Sequence, residues 1–426
     1  MSALTLTLRT SPARYAALPL SLIGIAVLFI RTDYWMGIWP EAGAAAQTAG
    51  YFISLFAAGV AGWAAAAPSK NGMDEQFAAA KVPGTTIEAA RLGAALIWVA
   101  APYGLTVAGA VIATVASDGF PSGFPMFLSY TLIGLVPIAL GTAWGWLVGR
   151  AFPPMVAAVS ALLSWLIVSY LLLVFADGVV TVSGPPWIAV DSGLVALRLG
   201  AAVLLALAVC MLPRLKRRIA VPAAAIAVSL IAVGASFSTT VLYDRAVPAD
   251  EDLVCYTGEI EYCLWPEHEK YLELVETVDA NAAELPGVVE LPERMVDYRL
   301  SGEELYWMEM GPEGDVDKEF DSEFDISEGS VWALAMGVSD GIQRVTFEGC
   351  DRDLYDDPEL GPAIEQFGAW LEYRLAGGGS VDYTTTAPRD IQEAWAEGRE
   401  IAAEWPEAEQ TAWVEDLLDR AKVEYC

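Results

Sequence analysis

The chain has 426 residues, 55% of them hydrophobic, with a mean hydropathy of +0.42. That is too apolar for an ordinary soluble protein of this size. Its charge is split: residues 1–244 hold 12 Lys+Arg and 9 Asp+Glu (net +3), and residues 245–426 hold 12 and 46 (net −34). An oily half and a strongly acidic half imply two domains in two solvents and exclude nucleic acid as a partner, because the acidic half repels phosphate.

Seven stretches are long and apolar enough to cross a bilayer core of about 30 Å: about 15–30, 49–67, 92–115, 126–148, 153–175, 194–212 and 220–243. The first is read as a retained span and not a cleaved leader, since Arg31–Glu41 separates it from the small-residue run Ala44–Ala46. Basic residues fall in alternate loops: Arg9 and Arg14, then Lys70, Lys81 and Arg91, then Arg150, then Arg214, Lys216, Arg217 and Arg218. The opposite loops carry Asp33, Glu41, Asp118, Asp177 and Asp191, with Arg31 the one exception. This bias predicts a cytoplasmic N-terminus in the plasma membrane and, after seven crossings, an extracellular C-terminal domain.

Within the spans, Gly141, Gly145 and Gly149 repeat at a spacing of four, which puts small residues on one helix face. Two uses fit: packing inside the bundle, or a homodimer face. Arg198 is the one charge inside a predicted span, expected to snorkel to the head groups or pair with Asp191 or Asp177. No acidic residue or His falls inside any predicted span, which argues against an ion-coupled relay. The loop from Pro68 to Arg91 contains a helix-compatible segment, with Asp74, Glu75 and Phe77 as candidates for docking a cytoplasmic partner.

Three Trp-Pro-Glu triplets, at Trp39, Trp265 and Trp405, read as helix starts, with Trp35 and Trp39 also as interfacial anchors. The expected fold is a seven-span α-helical membrane bundle (1–244) followed by an extracytoplasmic α+β domain (245–426), mostly helical, with disulfides. In that domain helices are expected at 266–285, 328–338, 358–376, 390–403 and 406–423, and strands at 288–291, 303–310 and 315–326. Cys210 lies in a span, whereas Cys255, Cys263, Cys350 and Cys426 all fall in the outer domain and predict two disulfides. Proximity pairs Cys255 with Cys263 around a hairpin at Thr257-Gly258, and elimination pairs Cys350 with Cys426.

Catalytic signals are weak. The acids Asp317, Asp321, Asp325 and Glu328 (with Glu319) fall at calcium-loop spacing, but Ser322 replaces the turn glycine and a strand-like alternation competes. His268, the single histidine, sits between Glu267 and Glu269 and reads as a solvated residue of a first helical turn; Leu272 spoils an HExxH pair. No phosphate loop and no GxSxG occur, so no enzyme and no cofactor are expected.

The segments Tyr34-Trp-Met-Gly-Ile-Trp-Pro-Glu-Ala-Gly and Val254-Cys255-Tyr-Thr-Gly258, with Cys263-Leu-Trp-Pro-Glu-His268, resemble a group of actinobacterial membrane proteins labelled ABC-transporter permeases or uncharacterised integral membrane proteins. The resemblance implies an exporter membrane subunit served by a separate ATPase. The added seventh span and outer domain depart from the usual six-span half. A membrane-anchored interaction or sensing protein, acting through its acidic ectodomain, is the competing reading.

Overall fold

The computed structural model describes residues 3–70, 83–175, 180–181, 183–211, 220–301, 322–326, 329–351, 353–379 and 388–426. The chain divides into two compact units, Met1–Arg245 and Ala246–Cys426.

The first unit is helical. Its elements are α1 (Ala3–Thr10), a 3-10 turn (Pro12–Ala16), α2 (Ala17–Leu28), α3 (Trp39–Lys70), α4 (Gly84–Asp118), α5 (Phe124–Val148), α6 (Pro154–Phe175), β1 (Ile188–Val190), α7 (Ser192–Cys210), α8 (Ala220–Ser236) and β2 (Leu242–Asp244). Five helices (α3 to α7) are long and apolar enough to span a membrane, and α1 with α2, bent by 50°, makes a sixth if counted as one. α8 is apolar but shorter, so seven spans remain a proposal. The predicted seventh span also ends early. Its last residues leave the helix, and Val190 pairs with Leu242 and Ile188 with Asp244 in an antiparallel β1–β2 ribbon. Thr239, Thr240 and Val241 are β-branched, which favours extended backbone over another helical turn.

α3 is the axis of the bundle. Its glycines and alanines let α5 lie against it in parallel register: a Cβ added at Gly141 would sit 2.9 Å from Ser54 O, and those at Gly145 and Gly149 would strike the backbones of Ala58 and Gly62. The three-glycine face is thus filled within the chain. Trp35 and Trp39, expected at the membrane surface, are instead buried at 1% and 0% exposure. Trp39 packs against Phe120, Phe124 and Phe127 at 5.0–5.1 Å between ring centroids, and Trp35 Nε1 donates to Leu28 O at 2.9 Å.

The second unit contains β3 (Val254–Thr257), β4 (Glu261–Leu264), a 3-10 helix (Pro266–Tyr271), α9 (Leu272–Ala282), β5 (Arg294–Asp297), β6 (Ser322–Phe324), α10 (Val331–Thr346), α11 (Leu360–Leu375), α12 (Arg389–Glu404) and α13 (Glu407–Tyr425). The sheet order is β3-β4-β5-β6, with β3 antiparallel to β4 and the other pairs parallel. The strand expected at 288–291 is turn and coil, and the strand lies just beyond it at Arg294–Asp297. The expectation at 303–310 falls outside the described residues.

α10 covers the sheet, where Gly337 meets Phe324 and Gly341 meets Met295, and α11 packs on α10 through Ser339 Oγ donating to Gly368 O at 3.1 Å. Each expected Trp-Pro-Glu site opens a helix. Gln410, 4% exposed, ties three of the helices together. It accepts from Trp370 Nε1 at 2.8 Å and donates to Ala402 O at 3.2 Å and Trp405 O at 2.9 Å.

Candidate functional site

The expected partner-docking residues Asp74, Glu75 and Phe77 lie outside the described residues, as do Asp317, Asp321 and Glu328 of the calcium candidate. Asp325 is described and exposed. Ser322–Phe324, in the middle of that candidate loop, is strand β6, paired residue by residue with β5. A ladder strand cannot also make the tight turn that a calcium loop needs.

Cys255 faces Cys263 directly across the β3–β4 hairpin, Cα atoms 4.1 Å apart, and the two are disulfide-bonded; Cys350 is bonded to Cys426, 76 residues on. The hairpin turn is fixed from α9, where buried Asp279 accepts from the backbone N–H groups of Glu259 and Ile260, both at 3.0 Å. Cys255, Glu261 and Cys263 converge closely enough to hold a metal, but the two sulfurs are spent on each other. Cys210 is a buried free thiol.

The membrane unit carries charge where the sequence suggested none. α3 and α4 begin earlier than the predicted spans and so include Glu41 (2% exposed) and Glu88 (7% exposed). Glu41 Oε1 accepts from Ser183 Oγ at 2.6 Å; beside it Gln47 Oε1 accepts from Thr181 N at 2.9 Å and Thr181 Oγ1 at 3.1 Å. Glu88 is held by two guanidinium groups, Arg91 at 2.7 Å and Arg150. Arg91 also donates to Ala64 O at 2.9 Å and Ala65 O at 3.3 Å, and Ala64 O needs it because its helical donor position is Pro68, which has no N–H.

Arg198 is buried, so it does not snorkel, and Asp177, one of its two expected partners, lies outside the described residues. Arg198 is 2% exposed, and its guanidinium donates to Ser236 O at 3.0 Å and Thr239 O at 2.8 Å and lies 4.1 Å from the Phe237 ring. It satisfies the carbonyls that end α8, and Asp191 caps α7 by accepting from Leu194 N at 3.0 Å. This is a structural staple between two helices.

The clearest surprise is His268. Expected at the surface, it is 1% exposed, and Nδ1 donates to Asp297 Oδ2 at 2.5 Å. Asp297 is fully buried and its Oδ1 accepts from Tyr298 N at 2.8 Å. His268 Nε2 is buried with no partner among the described residues, and the Tyr271 ring stands edge-on at 5.5 Å. An Asp-oriented imidazole with a bare Nε2 is the arrangement used by bases and metal ligands. Among the described residues no cluster of three metal-ligating side chains includes it, and it fixes the 3-10 helix to β5.

A second group of carboxylates lies where α10, α11 and α12 meet. Burial pushes Glu372 up to about 7, and the nearby charges of Asp340 and Glu365 add to the rise while Arg399 opposes it. Between about 4.5, the unfolded value, and 7, the folded unit keeps a proton that the unfolded chain releases. Its contribution is therefore full below 4.5 and is lost as pH climbs through 7. Glu372→Gln should flatten that part of a melting-temperature profile, raising stability at pH 8 by at most about 3 kcal/mol and changing it little at pH 4. An unchanged profile would remove Glu372 as its source.

Compared with known proteins, the chain matches no family model, no curated sequence and no solved structure.

Proposed function

We propose that the chain is the membrane-embedded, permease-like subunit of an ABC-type exporter, energised by a separate cytoplasmic ATPase, with its acidic unit extracellular. The observation that carries this is the interior of the bundle. Glu41 lies at the start of α3, and Glu88 of α4 is linked through Arg91 to Ala64 of α3, about 35 Å further along that helix. The buried polar side chains along α3 between them are Gln47 and Ser54, with Ser169 facing from α6. Tyr51 OH and Ser169 Oγ lie 3.4 Å apart, and Trp165 Nε1 donates to Ser54 Oγ at 3.1 Å. Such groups form no chain of carboxylates or imidazoles along which a proton or cation gradient is spent. With no phosphate loop in the sequence, any active transport would draw its energy from another chain.

A seventh crossing is supported by α7 and α8. The last turn of α8 returns to the second turn of α7 through Arg198, and Asp191 N donates to Val241 O at 2.8 Å. The end of α8 thus meets the start of its neighbour α7, and 17 residues rise about 25 Å.

Purification from the native host in mild detergent should bring down an ATP-binding subunit, and charge reversal at Asp74 and Glu75 should weaken its retention. In intact cells an impermeant thiol reagent should label the exposed Asp118→Cys but not Glu75→Cys. If the chain purifies alone under several detergents and the Asp74/Glu75 variant behaves as wild type, the second reading takes over: a membrane-anchored interaction or sensing protein. Labelling of Glu75→Cys would overturn the orientation in either case.

A further inference from the structure

At the end of the membrane unit that carries Glu88, Arg91 and Arg150, a cleft of about 580 Å³ opens between α1, the Pro12–Ala16 turn and the ends of α3, α4, α5 and α6. We propose that this cleft is a binding site for an anionic phospholipid of the surrounding bilayer, its phosphate at Ser11 and Arg91 and an acyl chain along Leu6, Trp63 and Ile87. The inference requires only that the bundle sits in a bilayer, and it is independent of the export reading.

Size is the first argument. The volume falls within the roughly 300–1,000 Å³ of small-molecule sites. Chemistry is the second. The wall is mainly apolar, and its polar members, Thr7, Thr10, Ser11, Arg91 and Trp146, are hydroxyls, a guanidinium and an indole, with no carboxylate.

One of these keeps a donor in hand: Ser11 is 8% exposed and its Oγ accepts from Ala13 N at 3.3 Å, which leaves the hydroxyl proton to give. Arg91 is already engaged with Glu88, Ala64 and Ala65, so it contributes a fixed positive charge at the wall and needs no vacant bond. Arg91 and Arg150 share the single Glu88, which leaves this corner at net +1, and Arg9 and Arg14 flank the lining residues Thr10–Pro12 in sequence.

Location selects the occupant. A free phosphate would have no use for Leu6, Trp63, Ile87 and Pro154. A peptide would bring N–H groups that need acceptors, and the Ala64 and Ala65 carbonyls are taken by Arg91. α1 is bent 50° away from α2, as expected of a segment lying along the head-group layer before the chain enters the membrane. Basic pockets between spans near that layer suit lipid phosphates.

The test uses full-length protein in mild detergent, followed by native mass spectrometry and thermal melting with phosphatidylglycerol, phosphatidylcholine or inorganic phosphate. Wild type should retain phosphatidylglycerol in preference to phosphatidylcholine and melt higher with it, whereas phosphate alone should have no effect. Ser11→Ala should weaken phosphatidylglycerol binding by about 3- to 10-fold, and Ala67→Phe, which fills the cleft without touching a charge, should abolish it. Should Ala67→Phe fail to fold, Ser11→Ala and the lipid comparison still decide. Equal retention of both lipids, no retention, wild-type binding by Ser11→Ala, or a matching shift with phosphate alone would each overturn the proposal.

Discussion

Gly145→Leu should leave little of the membrane unit folded after extraction, whereas Gly200→Leu should behave as wild type. At Gly145 any Cβ runs into the Ala58 backbone of α3, and the flanking contacts at Gly141 and Gly149 are also made to α3, at Ser54, Gly62 and Ala65. Backbone on the far side means that no side-chain rotation relieves the clash, so α5 and α3 must separate. Separation opens the tightest seam in the bundle over at least three turns and pulls Trp146 from its contacts. Overpacking costs about 1–3 kcal/mol where neighbours can shift, and a rigid backbone neighbour raises that toward the whole stability of a marginal fold. Gly200, on α7, has nothing within 4 Å of its Cβ position and is exposed on the bundle surface, where leucine suits lipid. The comparison is read as the monodisperse fraction after solubilisation and as the melting midpoint. Equal behaviour of the two variants would mean that the α3–α5 seam is not the close contact described.

What was legible in the sequence follows from how far apart the interacting residues lie. Hydropathy locates the helix interiors because each span announces itself locally. It misplaces the start of α3 by ten residues because Glu41, Gln47 and Thr48 look too polar for a membrane helix. Their partners, Ser183 and Thr181, lie more than 130 positions away, and no local window joins them. The burial of Arg198 has the same origin, since the Ser236 and Thr239 carbonyls it serves lie some 40 positions on, at and just beyond the end of the following helix.

In the second unit the caps and Trp-Pro-Glu starts predict the helices well, and the cysteine hairpin needed only eight residues of separation. β5 was missed because Arg294 and Asp297 bracket only two apolar residues, Met295 and Val296, too few for a visible alternation. His268 had a signal that was available. The buried stripe at Val275 and Val278 runs back through Tyr271 to His268 and Trp265 at helical spacing, so the imidazole shares the inward face despite its acidic neighbours.

The buried His268–Asp297 pair supports the other large prediction: removing the imidazole should destabilise the second unit more than neutralising the carboxylate. In His268→Leu the fully buried Asp297 carboxylate loses its ring donor and keeps the Tyr298 N–H at 2.8 Å. A buried charge stripped of one partner typically costs about 3–5 kcal/mol. In Asp297→Asn the amide oxygen still accepts from Tyr298 N while the charge is gone, so the expected cost falls to about 1–2 kcal/mol. The double variant His268→Leu/Asp297→Asn should then be more stable than His268→Leu alone, because the second change removes the stranded charge that the first creates. Urea unfolding of the full chain with its disulfides intact, followed by protease sensitivity of residues 246–426, gives the order. If the double variant is no more stable than His268→Leu, the cost comes from lost packing around the Tyr271 ring and the 3-10 helix. The pair would then be a filler of space and not an electrostatic clasp between that helix and β5.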